Sequence, residues 1–151
     1  MVKRSKLSDY QVQRYSKPIS TMKLKGDDLV TNVYEVNGNE DIFIVTNNGY
    51  GLWYDMDSVP VVGVKAAGVK SINLKDGYVA SGICFENSEY LTILTDKGNS
   101  KRIKLSELEK GRRASRGLLV LKEVKSNPQH IVKAFIMDVK KHIGIKKDED
   151  I

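Results

Sequence analysis

A 49-residue internal repeat constrains this chain more than any other feature of its sequence. Thr46-Asn47-Asn48-Gly49 is answered by Thr95-Asp96-Lys97-Gly98, 49 positions further on. Each copy follows an apolar run, Ile42-Phe43-Ile44-Val45 in one and Leu91-Thr92-Ile93-Leu94 in the other. Each is followed by a second strand-like segment, Leu52–Met56 and Lys101–Leu105. The same shift backwards lands on Lys3-Arg4-Ser5-Lys6-Leu7. Periods of 40–50 residues characterise propeller-like arrays, in which one supersecondary unit is stacked several times.

The second half of each unit also recurs. Met22–Lys25, Ile72–Lys75 and Val120–Lys122 each precede a polar turn and then a β-rich run, Leu29–Val36, Tyr78–Phe85 or Ile131–Ile136. Asn37-Gly38, Asn48-Gly49 and Asp76-Gly77 are tight-turn dipeptides, because a positive φ costs least there. Short strands with such punctuation predict an all-β fold. Only Leu105–Arg112 and Ile131–Ile143 admit a helical drawing, and their repeat equivalents are strand-like. The units fall at 1–40, 41–88 and 89–137, followed by a tail at 138–151 whose last half-dozen residues are expected to fray. The first unit lacks the apolar strand and Thr-x-x-Gly turn, so an earlier part of a longer polypeptide is expected to supply them.

Enzymatic constellations are scarce. His130 and His142 are the two histidines and Cys84 is the one cysteine, which makes neither a tetrahedral metal set nor a nucleophile–base pair. Gly49-Tyr50-Gly51 lacks the third glycine and following helix of a dinucleotide loop, and no phosphate-cradling GxxxxGK occurs. No catalytic residue, cofactor or metal is expected. Cys84 is expected to be a small buried apolar residue in a reducing cytosol. No run approaches the roughly 18 apolar residues of a membrane span.

Charge is distributed unevenly. Residues 1–40 carry 7 Lys/Arg against 5 Asp/Glu, 41–88 carry 3 against 5, 89–137 carry 11 against 5, and the tail carries 4 against 4. Most of the net +6 therefore lies in one third of the chain. Lys101, Arg102, Lys104, Lys110, Arg112, Arg113, Arg116 and Lys122 fall within 22 residues, opposed by Glu107 and Glu109. Gly111 and Gly117 bracket the arginines, where tight backbone turns are expected to approach a phosphate. In the first unit Lys3, Arg4, Lys6, Arg14 and Lys17 take the corresponding places. Equivalent positions in stacked repeats lie side by side, so these cations are expected to form a stripe suited to sequence-independent phosphate contact. Trp53 takes the position of Arg4 and Arg102 and alternates with Leu52, Tyr54 and Met56. It is expected to point outward while those three pack inward, with packing against a neighbouring blade favoured over stacking on a partner.

The repeated order of apolar strand, Thr-x-x-Gly, Lys-Arg strand, Gly-bounded basic loop and Leu-Lys before a turn resembles the C-terminal domain of the A subunits of bacterial type IIA topoisomerases. The resemblance runs from Val2 to about Ile136 and is strongest to the topoisomerase IV branch, with DNA gyrase the near relative. It implies a β-pinwheel of strand-exchanging blades with a basic rim on which duplex DNA is bent. Family domains have five or six blades, so three repeats imply an open arc. It further implies a non-catalytic module, nucleoid-associated in a bacterial cytoplasm, that presents DNA to a separate cleavage core for ATP-dependent strand passage. Its partners would be duplex DNA, the ATPase subunit, and the remainder of the topoisomerase polypeptide to which such a domain is joined. Gyrase carries a Gln-Arg-Arg-Gly-Gly-Lys-Gly box for wrapping DNA. Here Gly111-Arg112-Arg113-Ala114-Ser115-Arg116-Gly117 keeps the two arginines, a cation and the last glycine, and Gln13–Pro18 keeps less. Such degenerate boxes favour topoisomerase IV over strong wrapping. The rival expectation is a propeller-like protein-interaction module whose basic face meets an acidic partner or another subunit.

Overall fold

The computed structural model describes residues 1–148 and consists of short antiparallel strands with three 3-10 turns. Strands β1 (Asp41–Thr46), β2 (Tyr50–Asp55), β3 (Val79–Phe85) and β6 (Leu118–Leu119) form one sheet in the order β3-β1-β2-β6. Strands β4 (Tyr90–Thr95), β5 (Ser100–Lys104) and β7 (Ile131–Met137) form a second in the order β5-β4-β7. The all-β expectation holds, and the hairpin chemistry shows why Thr-x-x-Gly recurs. The Thr46 hydroxyl accepts the Tyr50 N–H at 3.1 Å, and the Thr95 hydroxyl accepts that of Asn99 at 3.2 Å. Gly49 and Gly98 close the two turns at φ +98° and +77°.

The sheets do not follow the repeat boundaries. β6 lies in the third unit yet pairs with β2 of the second, Gly51 opposite Leu118. One unit earlier, Val2 bridges Val69 in the equivalent way, with both partners again 67 positions apart. Gly68 and Gly117 mark the two seams. Their φ values are +84° and +85°, and a Cβ on either would sit 2.3 Å from the carbonyl oxygen of Val2 or Gly51. Only glycine lets the crossing chain lie this close to the strand it joins.

Two apolar clusters stack the units. Phe43, Val45 and Ile83 of the first sheet meet Leu91, Ile93, Ile131 and Ala134 of the second and Leu105 just beyond β5. The opposite face of the first sheet buries Ile42, Ile44, Leu52, Tyr54 and Met56 against residues that include Val2, Val36 and Val69. β1 is thus covered on both faces, which explains its unbroken Ile-Phe-Ile-Val run. β4 buries only alternate residues, Leu91, Ile93 and Thr95.

Several expectations need correction. Leu29–Val36 forms no strand, with Leu29 and Val33 78% and 84% exposed. β3 and β7 form ladders against β1 and β4, and no segment upstream of Leu29 plays that part. Ile72–Lys75 is not a strand either, and the return strand of the third unit is Leu118–Leu119 rather than Val120–Lys122. The equivalent segments at Leu7–Tyr10, Met56–Ser58 and Leu105–Glu107 are 3-10 turns that precede each loop, the last two directly ending β2 and β5. The first unit is held by two isolated bridges, Val2–Val69 and Arg4–Val61, rather than by a sheet of its own. Part of the frayed-end expectation, at residues 149–151, lies outside the described residues.

Candidate nucleic-acid interface

The basic loop of the third unit is laid onto the second. The Gly111 N–H donates to the Trp53 carbonyl at 2.7 Å, the Ala114 N–H to Ser71 at 2.8 Å, and the Asn73 N–H to Ser115 at 2.8 Å. The second unit's loop docks on the first in the same manner, with Val62 N–H donating to the Arg4 carbonyl at 2.8 Å. Loops of successive units are therefore neighbours, as a stacked repeat requires. The bracketing glycines serve this docking: a Cβ on Gly111 would lie 3.0 Å from the Leu52 side chain, and Gly117 forms the seam to Gly51.

The structure sorts the thirteen predicted cations into two groups. Five have their charged ends engaged by the protein. Arg4 Nε donates to the Val59 carbonyl at 2.7 Å, and Lys3 Nζ to the carbonyls of Gly63 and Val64. Arg113 spans two carbonyls, Ser58 at 2.8 Å through Nε and Lys70 at 2.7 Å through Nη1. Lys101 Nζ reaches the Val120 carbonyl at 3.0 Å. Lys110 Nζ lies 3.0 Å from Asp41 and 2.6 Å from Asp55, with the Trp53 ring centroid 5.5 Å away. Hydrogen bonding to Lys110 holds the Asp55 carboxyl below its ordinary range and raises the Lys110 ammonium.

The other eight are Lys6, Arg14, Lys17, Arg102, Lys104, Arg112, Arg116 and Lys122. Among the described residues no protein acceptor or carboxylate holds their charged ends. Strand alternation accounts for part of the division. Arg102 and Lys104 pair with Thr92 and Tyr90, on the face away from the first sheet, whereas Lys101 pairs with buried Ile93 on the inner face. Two arginines rest on aromatic rings: Arg102 lies 4.7 Å from the Tyr90 centroid and Arg116 4.3 Å from that of Tyr50.

Trp53 is half-buried. Its ring lies 6.5 Å from Phe43 and 6.0 Å from Phe85, packed against the cluster that joins the two sheets, and Nε1 donates to Asp41 at 3.0 Å. The alternation with Leu52, Tyr54 and Met56 is present, and the side of β2 opposite those three is covered by the cluster shared with the second sheet, which is the packing against a neighbouring unit that the sequence favoured. Sequence reasoning missed the Asp41–Asp55 pair that receives Lys110 and the two tyrosines beneath arginines. Asp41 and Asp55 end paired strands, a signal available once the hairpin register is assigned. Tyr50 and Tyr90 are not repeat-equivalent, so periodicity gave no cue to them. Among the described residues no group of three or more His, Cys, Asp or Glu is placed to hold a metal, and no helix is long and apolar enough to cross a membrane. Burial, with a smaller contribution from Glu40, pushes the Cys84 thiol up to about 11.

The family model of the DNA gyrase C-terminal domain, a β-propeller, matches residues 1–37, 40–82 and 89–136. The chain is 47% identical over 136 residues to the A subunit of DNA topoisomerase 4 from Bacillus subtilis (strain 168), covering 89% of this chain and 17% of that protein. It is 38% identical over 133 residues to the same protein from Staphylococcus epidermidis (strain ATCC 12228 / FDA PCI 1200), covering 87% and 17%. The chain thus spans about a sixth of the length of these relatives. The crystal structure of the C-terminal domain of DNA topoisomerase IV superposes with a TM-score of 0.87 at 45% identity, over 90% of this chain and 43% of that one. The DNA gyrase A C-terminal domain superposes at 0.67 and 24% identity, over 77% and 40%, a likeness of fold alone.

Proposed function

Because the chain belongs to the DNA gyrase C-terminal-domain family of β-propellers, we propose that it is a DNA-binding accessory module of a topoisomerase IV A subunit. It grips duplex phosphates without reading sequence, bends the duplex, and offers it to a cleavage core elsewhere in the parent enzyme. The ATPase subunit then drives strand passage there, in a bacterial cytoplasm at the nucleoid. The observation that carries this reading is the set of cations whose charged ends have no protein acceptor or carboxylate among the described residues, on β5 and on loops docked unit against unit.

In this reading Arg102, Lys104, Arg112, Arg116 and Lys122 contact phosphates, assisted by Lys6, Arg14 and Lys17. Arg4, Lys3, Arg113, Lys101 and Lys110 brace the loops that carry them. Bending a 20–30 bp site costs on the order of 1–6 kcal/mol, so several simultaneous contacts must offset it. With about six phosphates neutralised, log K against log[salt] falls with a slope near −5. Anisotropy titration with duplexes of unrelated sequence tests this. Replacing Arg102, Lys104 and Arg112 with Ala reduces the slope magnitude by about 2.7 and weakens all sequences alike. A flat salt response, or binding of an acidic protein in preference to duplex, overturns the proposal in favour of a protein-interaction role.

A further inference from the structure

We propose that Tyr50 and Tyr90 are positioning residues for DNA binding: each holds one arginine as a pre-aimed phosphate fork. This rests on the DNA-binding reading above and adds to it the residues that set the geometry of two contacts.

The arginines are of two kinds. Arg4 and Arg113 direct Nε into backbone carbonyls, so much of their donor capacity is already used by the protein. Arg102 and Arg116 have no protein acceptor among the described residues, yet their guanidinium groups rest 4.7 and 4.3 Å from the centroids of Tyr90 and Tyr50. A ring beneath a guanidinium fixes the plane of the group without occupying its N–H donors, which stay directed to the side. That arrangement suits a planar, bidentate acceptor such as a phosphate. Both rings are half-buried and anchored in strands. Tyr50 begins β2 and pairs with Leu119, while Tyr90 begins β4 between Lys104 and Met137.

The two forks have distinct origins. Arg102 lies on the edge strand of the second sheet, and Arg116 lies in the loop crossing to the first. Each stack therefore sets one contact on one structural body. An unstacked arginine at either place keeps its charge but must give up rotamer freedom on binding.

The test is a double-mutant cycle on the whole chain, read by anisotropy with a random-sequence 30-bp duplex at fixed salt. Tyr50→Leu and Tyr90→Leu each weaken binding by about two- to fivefold, the range of an exposed cation–π contact. Tyr50→Phe and Tyr90→Phe, which keep the ring, bind as the parent does. In an Arg116→Ala background Tyr50→Leu produces no further loss, and Tyr90→Leu none in Arg102→Ala. The salt slope of the Leu variants stays at the parental value, whereas each Arg→Ala lowers its magnitude by about 0.9. Equal losses with and without the partner arginine would mean that the ring acts through folding or on DNA itself, which overturns the proposal. Parental binding with unchanged affinity in both Leu variants overturns the stacking alone. A parent that does not bind duplex overturns both readings.

Discussion

Gly117→Ala is the sharpest probe of the strand exchange on which the basic loop depends. Alanine at φ +85° costs about 1 kcal/mol in backbone strain. Its Cβ would also meet the Gly51 carbonyl oxygen at 2.3 Å and the Leu52 Cβ at 3.1 Å. Relief requires the crossing chain to retreat by nearly an ångström. That movement disrupts the short β2–β6 ladder and the neighbouring 2.8 Å bond from Val120 N–H to the Gly49 carbonyl. Each backbone bond lost adds about 1 kcal/mol, giving about 3 kcal/mol in all. At 2–4 °C per kcal/mol for a chain this size, the melting temperature falls by about 6–12 °C. Gly98→Ala separates the two contributions, because Gly98 has φ +77° with open space around its Cβ direction. It incurs the strain alone and loses about 2–4 °C. Gly68→Ala behaves as Gly117→Ala does, and Gly144→Ala stays at the parental value. Differential scanning calorimetry reads all four. A Gly117 variant no less stable than the Gly98 variant would refute the seam as a structural requirement.

Replacing Lys110 with Met leaves the DNA salt slope unchanged while stability drops by no more than about 1 kcal/mol, since its partners Asp41 and Asp55 are partly or largely exposed. Salt titration and urea melts of the same variant check both halves. Glu40, lowered first by the backbone N–H of Asn37, Asp55, lowered first by Lys110, and Asp96, lowered first by the His130 N–H, all have depressed folded-state pKa values. Their contribution is present above the unfolded carboxylate range and disappears as pH falls below about 4. Urea melts across pH 2–7 show the loss, and Glu40→Gln flattens it. Cys84, with its thiol pushed up to about 11, reacts slowly with iodoacetamide at pH 7.5 in the folded protein and quickly in urea. Rapid labelling of the native chain would contradict its burial.

The hairpins were legible because their determinants are local. Thr46 and Thr95 accept an N–H four residues on, and Gly49 and Gly98 adopt the turn that follows, so a short motif carries the entire interaction. The resemblance implied strand exchange, but which strands exchange was hidden, because nothing in Leu118-Leu119 marks Tyr50-Gly51 as its partner. The choice is made by packing between residues 67 positions apart. The spacing of Gly68 and Gly117 was the available clue, since both obey the 49-residue period. Leu29–Val36 shows the converse limit: its residues favour β structure, but a strand requires a partner. For the candidate interface, composition located the basic loops and did not sort them. Whether a lysine meets a carbonyl, as Lys101 does, or projects from the outer face, as Lys104 does, follows from an odd number of steps along a strand.

The segment bearing Arg112 and Arg116 leaves one sheet at Leu105 and enters the other at Leu118, so it is tethered at both ends to different bodies. A stiff duplex recoiling from curvature would pull on a strap anchored at each side rather than on a dangling tip. In the proposed role, the strain would pass into backbone hydrogen bonds of both sheets rather than into a hinge.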